Sequence, residues 1–165
     1  MAGETLDNLD KKIVEELCSS SQGSYRQIAK RLGVHPTTLI QRVKSLEAKG
    51  VINGYRAIVD YLKLGYEFMG VVHIYVEGDL LEIQKKIMSI DQVISVFDVT
   101  GDYDSIAWVA CVDRDEFSDV VKRILAIRGV KKTNTSVILN IVKDPMKFVP
   151  HLLDKEPEQE PERTD

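Results

Sequence analysis

Over its first 54 residues the chain repeats apolar positions three and four apart, the spacing of one helix face, which predicts three short amphipathic helices. Leu9, Ile13, Val14 and Leu17 mark the first, which opens after Asp7 as N-cap and is broken by the polar run Ser19-Ser20-Ser21-Gln22-Gly23. Ser24-Tyr25-Arg26-Gln27 has the form of a capping box, in which serine and glutamine side chains satisfy amides that a helix start leaves orphaned. Ile28, Ala29 and Leu32 then turn inward, and Gly33 ends this second helix. His35-Pro36 opens the third, because proline at the first helical position loses no hydrogen bond and presets φ. Its inward stripe is Leu39, Val43 and Leu46, and Gly50 closes it.

From Tyr55 the period changes. Residues 55–60 read as a linking strand, and a turn at Gly65 precedes a second unit. That unit reads strand 68–77, helix 79–90, strand 93–100, tight turn 101–104, strand 105–112, helix 114–128 and strand 130–142. The order βαββαβ is the ferredoxin-like arrangement, a four-stranded antiparallel sheet with both helices on one face. Both alternations of its strands are apolar: Phe68, Val72, Ile74 and Val76 against Met69, Val71 and Tyr75, and Ile106, Trp108, Ala110 and Val112 against Ala107, Val109 and Cys111. Leaving about five such side chains in water would forfeit on the order of 10 kcal/mol, comparable to a small domain's whole stability. A second copy of the chain, packed sheet to sheet as an isologous homodimer, is the expected cover.

Composition adds exclusions. At 165 residues, 44% hydrophobic and 29% charged, the chain suits one domain or two small ones. No apolar run approaches a membrane span and the first residues are acidic, so neither a span nor a secretory signal is expected, and the reading is cytoplasmic. Cys18 and Cys111 read as small buried apolar side chains. His35, His73 and His151 have no metal-ligand spacing, so no metal, disulfide or other cofactor is expected. His73, on an apolar strand, reads as a satisfied core residue.

The net charge of −4 hides a division. Residues 151–165 carry two bases and six acids, so the whole deficit lies there and residues 1–150 balance. Within 24–50 six basic residues face the single acid Glu47, a field that attracts a polyanion. Residues 154–165 contain no aliphatic or aromatic side chain and two prolines, a composition that predicts disorder. Such a tail either competes with DNA for basic surface or merely solubilises the chain.

The second and third helices, with the turn at Gly33-Val34, have the spacing of a helix-turn-helix, whose second helix enters the major groove. With the apolar stripe inward, the third presents Thr37, Thr38, Gln41, Arg42 and Ser45. Gln41 has the bidentate geometry for adenine and Arg42 for guanine, while Thr37, Thr38 and Ser45 suit phosphate or a thymine methyl. Ser24, Tyr25, Arg26, Lys30 and Lys44 are read as backbone contacts that set register. A merely solvated face would alternate charge sign, which this one does not.

The stretches Leu6-Asp7-Asn8-Leu9-Asp10-Lys11-Lys12-Ile13, Ile28-Ala29-Lys30-Arg31-Leu32-Gly33-Val34, Arg42-Val43-Lys44-Ser45-Leu46-Glu47-Ala48-Lys49-Gly50-Val51-Ile52 and Thr100-Gly101-Asp102-Tyr103-Asp104 resemble the Lrp/AsnC, or feast/famine, family of transcription regulators over roughly residues 5–145. The resemblance implies an α+β fold, an N-terminal helix-turn-helix domain followed by a ferredoxin-like βαββαβ (RAM) domain that binds an effector, dimerisation through the sheets and assembly up to octamers. The division it implies is a DNA-binding domain at 1–54, a linker strand and hinge at 55–66, an effector-binding and dimerisation domain at 67–145 and a C-terminal extension at 146–165, acidic and disordered from about 154. His35 stands where the family has a small capping residue, so it is expected to cap poorly and to lie beside the DNA backbone. By the same resemblance the Gly101-Asp102-Tyr103-Asp104 loop lines an amino-acid pocket between dimers, joined by Thr133 and Thr135. Loop amides and threonine hydroxyls suit a carboxylate, and Asp102 or Asp104 an α-ammonium.

Phosphate-loop, dinucleotide, serine-elbow and zinc-protease motifs are missing, and the strand at 105–112 lacks the base-stacking aromatics of an RNA-binding sheet, so no enzyme is read. The expected function is a sequence-specific regulator of double-stranded DNA. Its dimer would meet a pseudo-palindromic operator with half-sites about 34 Å apart or a multiple of that. An amino acid or related small molecule at the dimer–dimer interface would modulate it. The alternative is a metabolite-sensing or protein-interaction dimer without specific DNA binding.

Overall fold

The computed structural model describes residues 6–19, 23–144 and 147–152. Its contacts divide the chain into two units, one of residues up to Ile58 together with those from Lys143 onward, the other Val59–Val142.

The first unit holds α1 (Asn8–Ser19), α2 (Tyr25–Leu32) and α3 (Pro36–Ala48). The expected stripes meet in its core, where Ile13, Ile28, Ala29, Leu39, Val43 and Leu46 are buried together. Local chemistry sets the helix ends. The Asp7 carboxylate accepts the Asp10 amide at 2.8 Å. Ser24 Oγ accepts the Gln27 amide while Gln27 Oε1 accepts the Ser24 amide, a complete capping box. Gly33, at φ 67°, caps α2 in the left-handed region and turns the chain toward Pro36. His35 corrects an expectation: it does cap α3 by its side chain, Nδ1 accepting the Thr37 amide at 3.3 Å. An unprotonated ring nitrogen is as good an acceptor as a hydroxyl oxygen there.

Residues 55–60 form no strand, against the expectation. Alternation alone makes no strand; a ladder partner must take the backbone groups, and none lies alongside among the described residues. Tyr55, Ile58 and Val59 are exposed.

The second unit is a four-stranded antiparallel sheet in the order β2-β3-β1-β4, from β1 (Phe68–Val76), β2 (Val93–Asp98), β3 (Ser105–Cys111) and β4 (Val130–Val137). Helices α4 (Leu80–Met88) and α5 (Arg114–Leu125) cover one face, capped by Asp79 and Asp113, whose carboxylates accept the amides of Glu82 and Glu116. Between helices and sheet lie Val72, Ile74, Ile83, Ile87, Val109 and Ile124. Each element of this unit ends one to five residues earlier than its apolar pattern, most of all β4, whose paired register ends at Val137 opposite Gly70, with the Ile138 amide still donating to the Met69 carbonyl before the chain leaves the ladder. Leu139 and Val142, expected in this strand, are almost fully exposed.

On the opposite face cross-strand partners Val71 and Trp108, and His73 and Ile106, are half-buried, and Phe97 at the edge is 51% exposed. The Trp108 indole Nε1 is buried there with no hydrogen-bond partner among the described residues.

Candidate nucleic-acid interface and effector loop

The helical period turns Thr37, Thr38, Gln41, Lys44 and Ser45 outward, and all five are exposed. Pro36 at the first position and the His35 cap begin this face at the end of a helix whose free amides and dipole favour anions. Beside it, at the start of α2, Ser24, Tyr25, Arg26 and Lys30 are exposed as well.

Arg42 departs from the expectation. Its guanidinium is turned onto α1, with Nη1 2.5 Å from Asp7 Oδ2 and 3.1 Å from Asp10 Oδ1. The hydrogen bonds to these two carboxylates raise the Arg42 pKa; the Asp10 amide, followed by Arg42, holds the Asp7 carboxyl below its ordinary value. Arg42 lies three residues after Leu39 and four before Leu46, so it sits on the flank of the buried stripe and not opposite it. The same spacing was available in the sequence to place it there. Arg31 likewise pairs with Glu16 of α1 at 2.7 Å.

Tyr25, read as a backbone contact, lies within a network: its hydroxyl is 3.3 Å from that of Tyr55, which donates to Glu47 Oε1 at 2.8 Å. The Tyr55 ring is largely exposed, but desolvation of its hydroxyl end, then the bonds to Tyr25 and Glu47, push its pKa well above the ordinary phenol value. Because the Tyr55 proton goes to Glu47, Tyr25 is the donor to Tyr55, and its one O–H is then spent within the protein, against the reading of Tyr25 as a phosphate contact. No contact between Tyr55, Glu47 and Tyr25 is legible in the sequence, since nothing local signals a contact across thirty residues.

In the second unit Gly101, at φ 119°, opens the loop in a conformation that side chains resist. Asp104 is a structural brace: its carboxylate accepts the Val76 amide at 2.7 Å and its amide donates to the Ile74 carbonyl at 3.1 Å. Tyr103 lies on His73 with ring centroids 4.4 Å apart and meets Tyr75 edge-on at 5.1 Å; Lys132 Nζ stands 5.2 Å from the Tyr75 centroid. Desolvation, then Tyr103, raises the Tyr75 pKa. His73 Nδ1 is 3.2 Å from the Asn134 carbonyl, which satisfies it as expected, though on the face away from the core.

Thr133 and Thr135 are not brought to this cluster. They register opposite Ile74 and Val72, whose side chains lie under the helices, whereas His73 and Tyr75 register with Asn134 and Lys132. Side chains alternate faces along a strand, so the residues beside Tyr103 are the ones between and before the two threonines. Period-two parity, applied to β4, would have found Lys132 and Asn134.

Cys111 is buried, and desolvation pushes its thiol up to about 11. Cys18 corrects its reading, being exposed; one residue past Leu17, it is rotated by about 100° away from the α1 core stripe. Among the described residues no three His, Cys, Asp or Glu side chains gather as a metal site, and no helix is long and apolar enough to cross a membrane.

Two family models match the chain: a winged helix-turn-helix DNA-binding domain at residues 6–53 and an Lrp/AsnC ligand-binding domain at residues 70–148. An HTH-type transcriptional regulator of Pyrococcus abyssi is 40% identical over 146 residues, which span 88% of this chain and 99% of that protein. The structure of Escherichia coli AsnC superposes with a TM-score of 0.78 at 29% identity, covering 86% of this chain and 97% of its own. The feast or famine regulatory protein of Mycobacterium tuberculosis complexed with L-methionine has the same fold, with a TM-score of 0.82 at 24% identity over 88% of this chain and all of that one.

Proposed function

The chain belongs to the Lrp/AsnC family of transcriptional regulators, and from that premise we propose that α3 reads the major groove of a specific duplex through Thr37, Thr38, Gln41 and Ser45. The observation that carries this reading is the exposed hydrogen-bonding stripe that starts at Pro36 and is flanked by cations of one sign. Ser24, Arg26, Lys30, His35 and Lys44 hold phosphates, while Tyr25, whose one proton goes to Tyr55, and Arg42 support the helices from behind.

The protein acts as a homodimer joined through the sheet face of Val71, Ile106 and Trp108, where half-buried apolar side chains support a second copy. A two-fold dimer carries two recognition helices, so its operator is pseudo-palindromic, and dimers assemble further toward an octamer. An amino acid binds beside the loop at 101–104, with Asp102 taking its ammonium, since Asp104 is spent on Val76, and Lys132 and the loop amides taking its carboxylate. The L-methionine complex of the mycobacterial neighbour supports this ligand class. A regulator of this kind works where the DNA is, in the cytoplasm.

Titrating salt against a fluorescent mixed-sequence duplex tests the first step. Log affinity should fall linearly with log salt, as counterions are released from several phosphates. Binding that is absent or indifferent to salt would leave a metabolite-sensing dimer.

A further inference from the structure

We propose that the acidic segment 154–165 docks on the cationic face of its own helix-turn-helix and competes there with DNA. The inference rests on the DNA-binding reading above. Its first support is where the segment is rooted. The described residues preceding it, from Lys143 to Leu152, group with the helical unit and not with the sheet they leave. The Leu152 amide donates to Glu15 Oε1 of α1 at 2.6 Å. Phe148 borders a groove of about 820 Å³ also lined by Val14, Leu17, Val51, Ile52 and Tyr55. The acids therefore start alongside the unit that carries the cations.

Charge supplies the second support. Arg31 and Arg42 are occupied by Glu16, Asp7 and Asp10, so the outward positive field comes from exposed Arg26, Lys30 and Lys44. Glu156, Glu158, Glu160 and Glu162 repeat every second residue, a carboxylate about every 6–7 Å of extended chain, interleaved with Pro157 and Pro161 and with no apolar side chain that would pack elsewhere. Thirteen residues beyond Leu152 reach about 40 Å, twice the roughly 20 Å length of α3, so tether length is no obstacle. A short tether also holds the acids at an effective concentration on the order of millimolar, enough for a weak ionic contact to be populated. The matched family model ends at residue 148, so the segment is an addition to the shared scaffold and free to tune it.

The test compares full-length protein with its E156Q/E158Q/E160Q/E162Q variant, binding a 40-base-pair mixed-sequence duplex across a salt series. The docked segment predicts about three- to tenfold tighter binding by the variant near 50 mM salt, a steeper log–log salt slope and convergence of the two curves at high salt. Phe148→Ala, at a side chain 61% exposed, keeps the fold, loosens the root and recovers part of the same gain with the acids intact. Equal affinities at all salts would overturn the inference while leaving DNA binding standing, as would capture of the acids by a basic partner protein with no change in DNA affinity. A gain from neutralisation that Phe148→Ala does not share would overturn the anchored contact in favour of plain repulsion. No binding by either protein would instead sink the DNA-binding reading, and this one with it.

Discussion

Helix α3 and strand β4 both present short hydroxyl and amide side chains in a row, yet their faces are decided differently. On α3 the partners of every side chain are set by spacing within the helix, so the inward Leu39, Val43 and Leu46 by themselves turn Thr37, Gln41 and Ser45 to solvent. On β4 the face belongs to the ladder: Thr133 and Thr135 turn toward the helices because Ile74 and Val72 do, and a slip of one residue would exchange them with Asn134. A helical surface is thus a local property and a strand surface a tertiary one, and the two candidate sites inherit that difference.

The sharpest way to break this contrast is through the cores. Leu39→Ala removes a fully buried side chain from the small helical cluster and should cost about 2–5 kcal/mol. Calorimetry should then show the helical unit melting earlier while the sheet unit's transition stays in place; a joint shift of both would deny that the units are separate. Asp104→Ala should come next, at about 1–3 kcal/mol, because it leaves the Val76 amide without its carboxylate. Asp102→Ala, by contrast, should leave thermal stability within about 0.5 kcal/mol while abolishing any amino-acid response.

Arg42→Ala should lower the urea midpoint slightly by leaving Asp10, itself buried, without its cation. The linked pH effect has a defined sign. Asp7 titrates below its ordinary value when folded, so the stability it contributes is present above the unfolded value near 3.8 and is lost as the pH falls through the lower folded value. Urea midpoints at pH 7 and pH 3 should draw together in Asp7→Asn, and an unchanged gap would remove the pair from the account. Smallest of all, Thr133→Val should change effector binding less than Asn134→Ala, since only the latter position shares a face with Tyr103.

Legibility followed the same division. The three helices, the starts of α2 and α3 and the sheet-forming order were written in apolar spacing, Ser24 and Pro36, all signals acting within a few residues. Arg42 reads as a base contact by its chemistry, whereas its spacing, three residues after Leu39 and four before Leu46, puts it on the flank of the buried stripe. His35 reads as a weak cap because imidazole is a less common acceptor than a hydroxyl at that position. The absent strand at 55–60 and the early end of β4 share another cause, since extended residues become strand only beside a partner, which no pattern along one chain supplies. The Tyr25–Tyr55 bond and the stacking of Tyr103 on His73 are hidden for that reason too, being contacts across 30 residues in each case.

Selection of bound fragments from a pool of random duplexes separates base reading by the outer face of α3 from a structural role for Arg42. With the native protein as reference, Gln41→Ala should recover a motif relaxed at particular positions, a loss of about 1–3 kcal/mol of discrimination, whereas Arg42→Ala should recover the native motif from a less stable protein. A native motif from Gln41→Ala together with a relaxed one from Arg42→Ala would contradict the account.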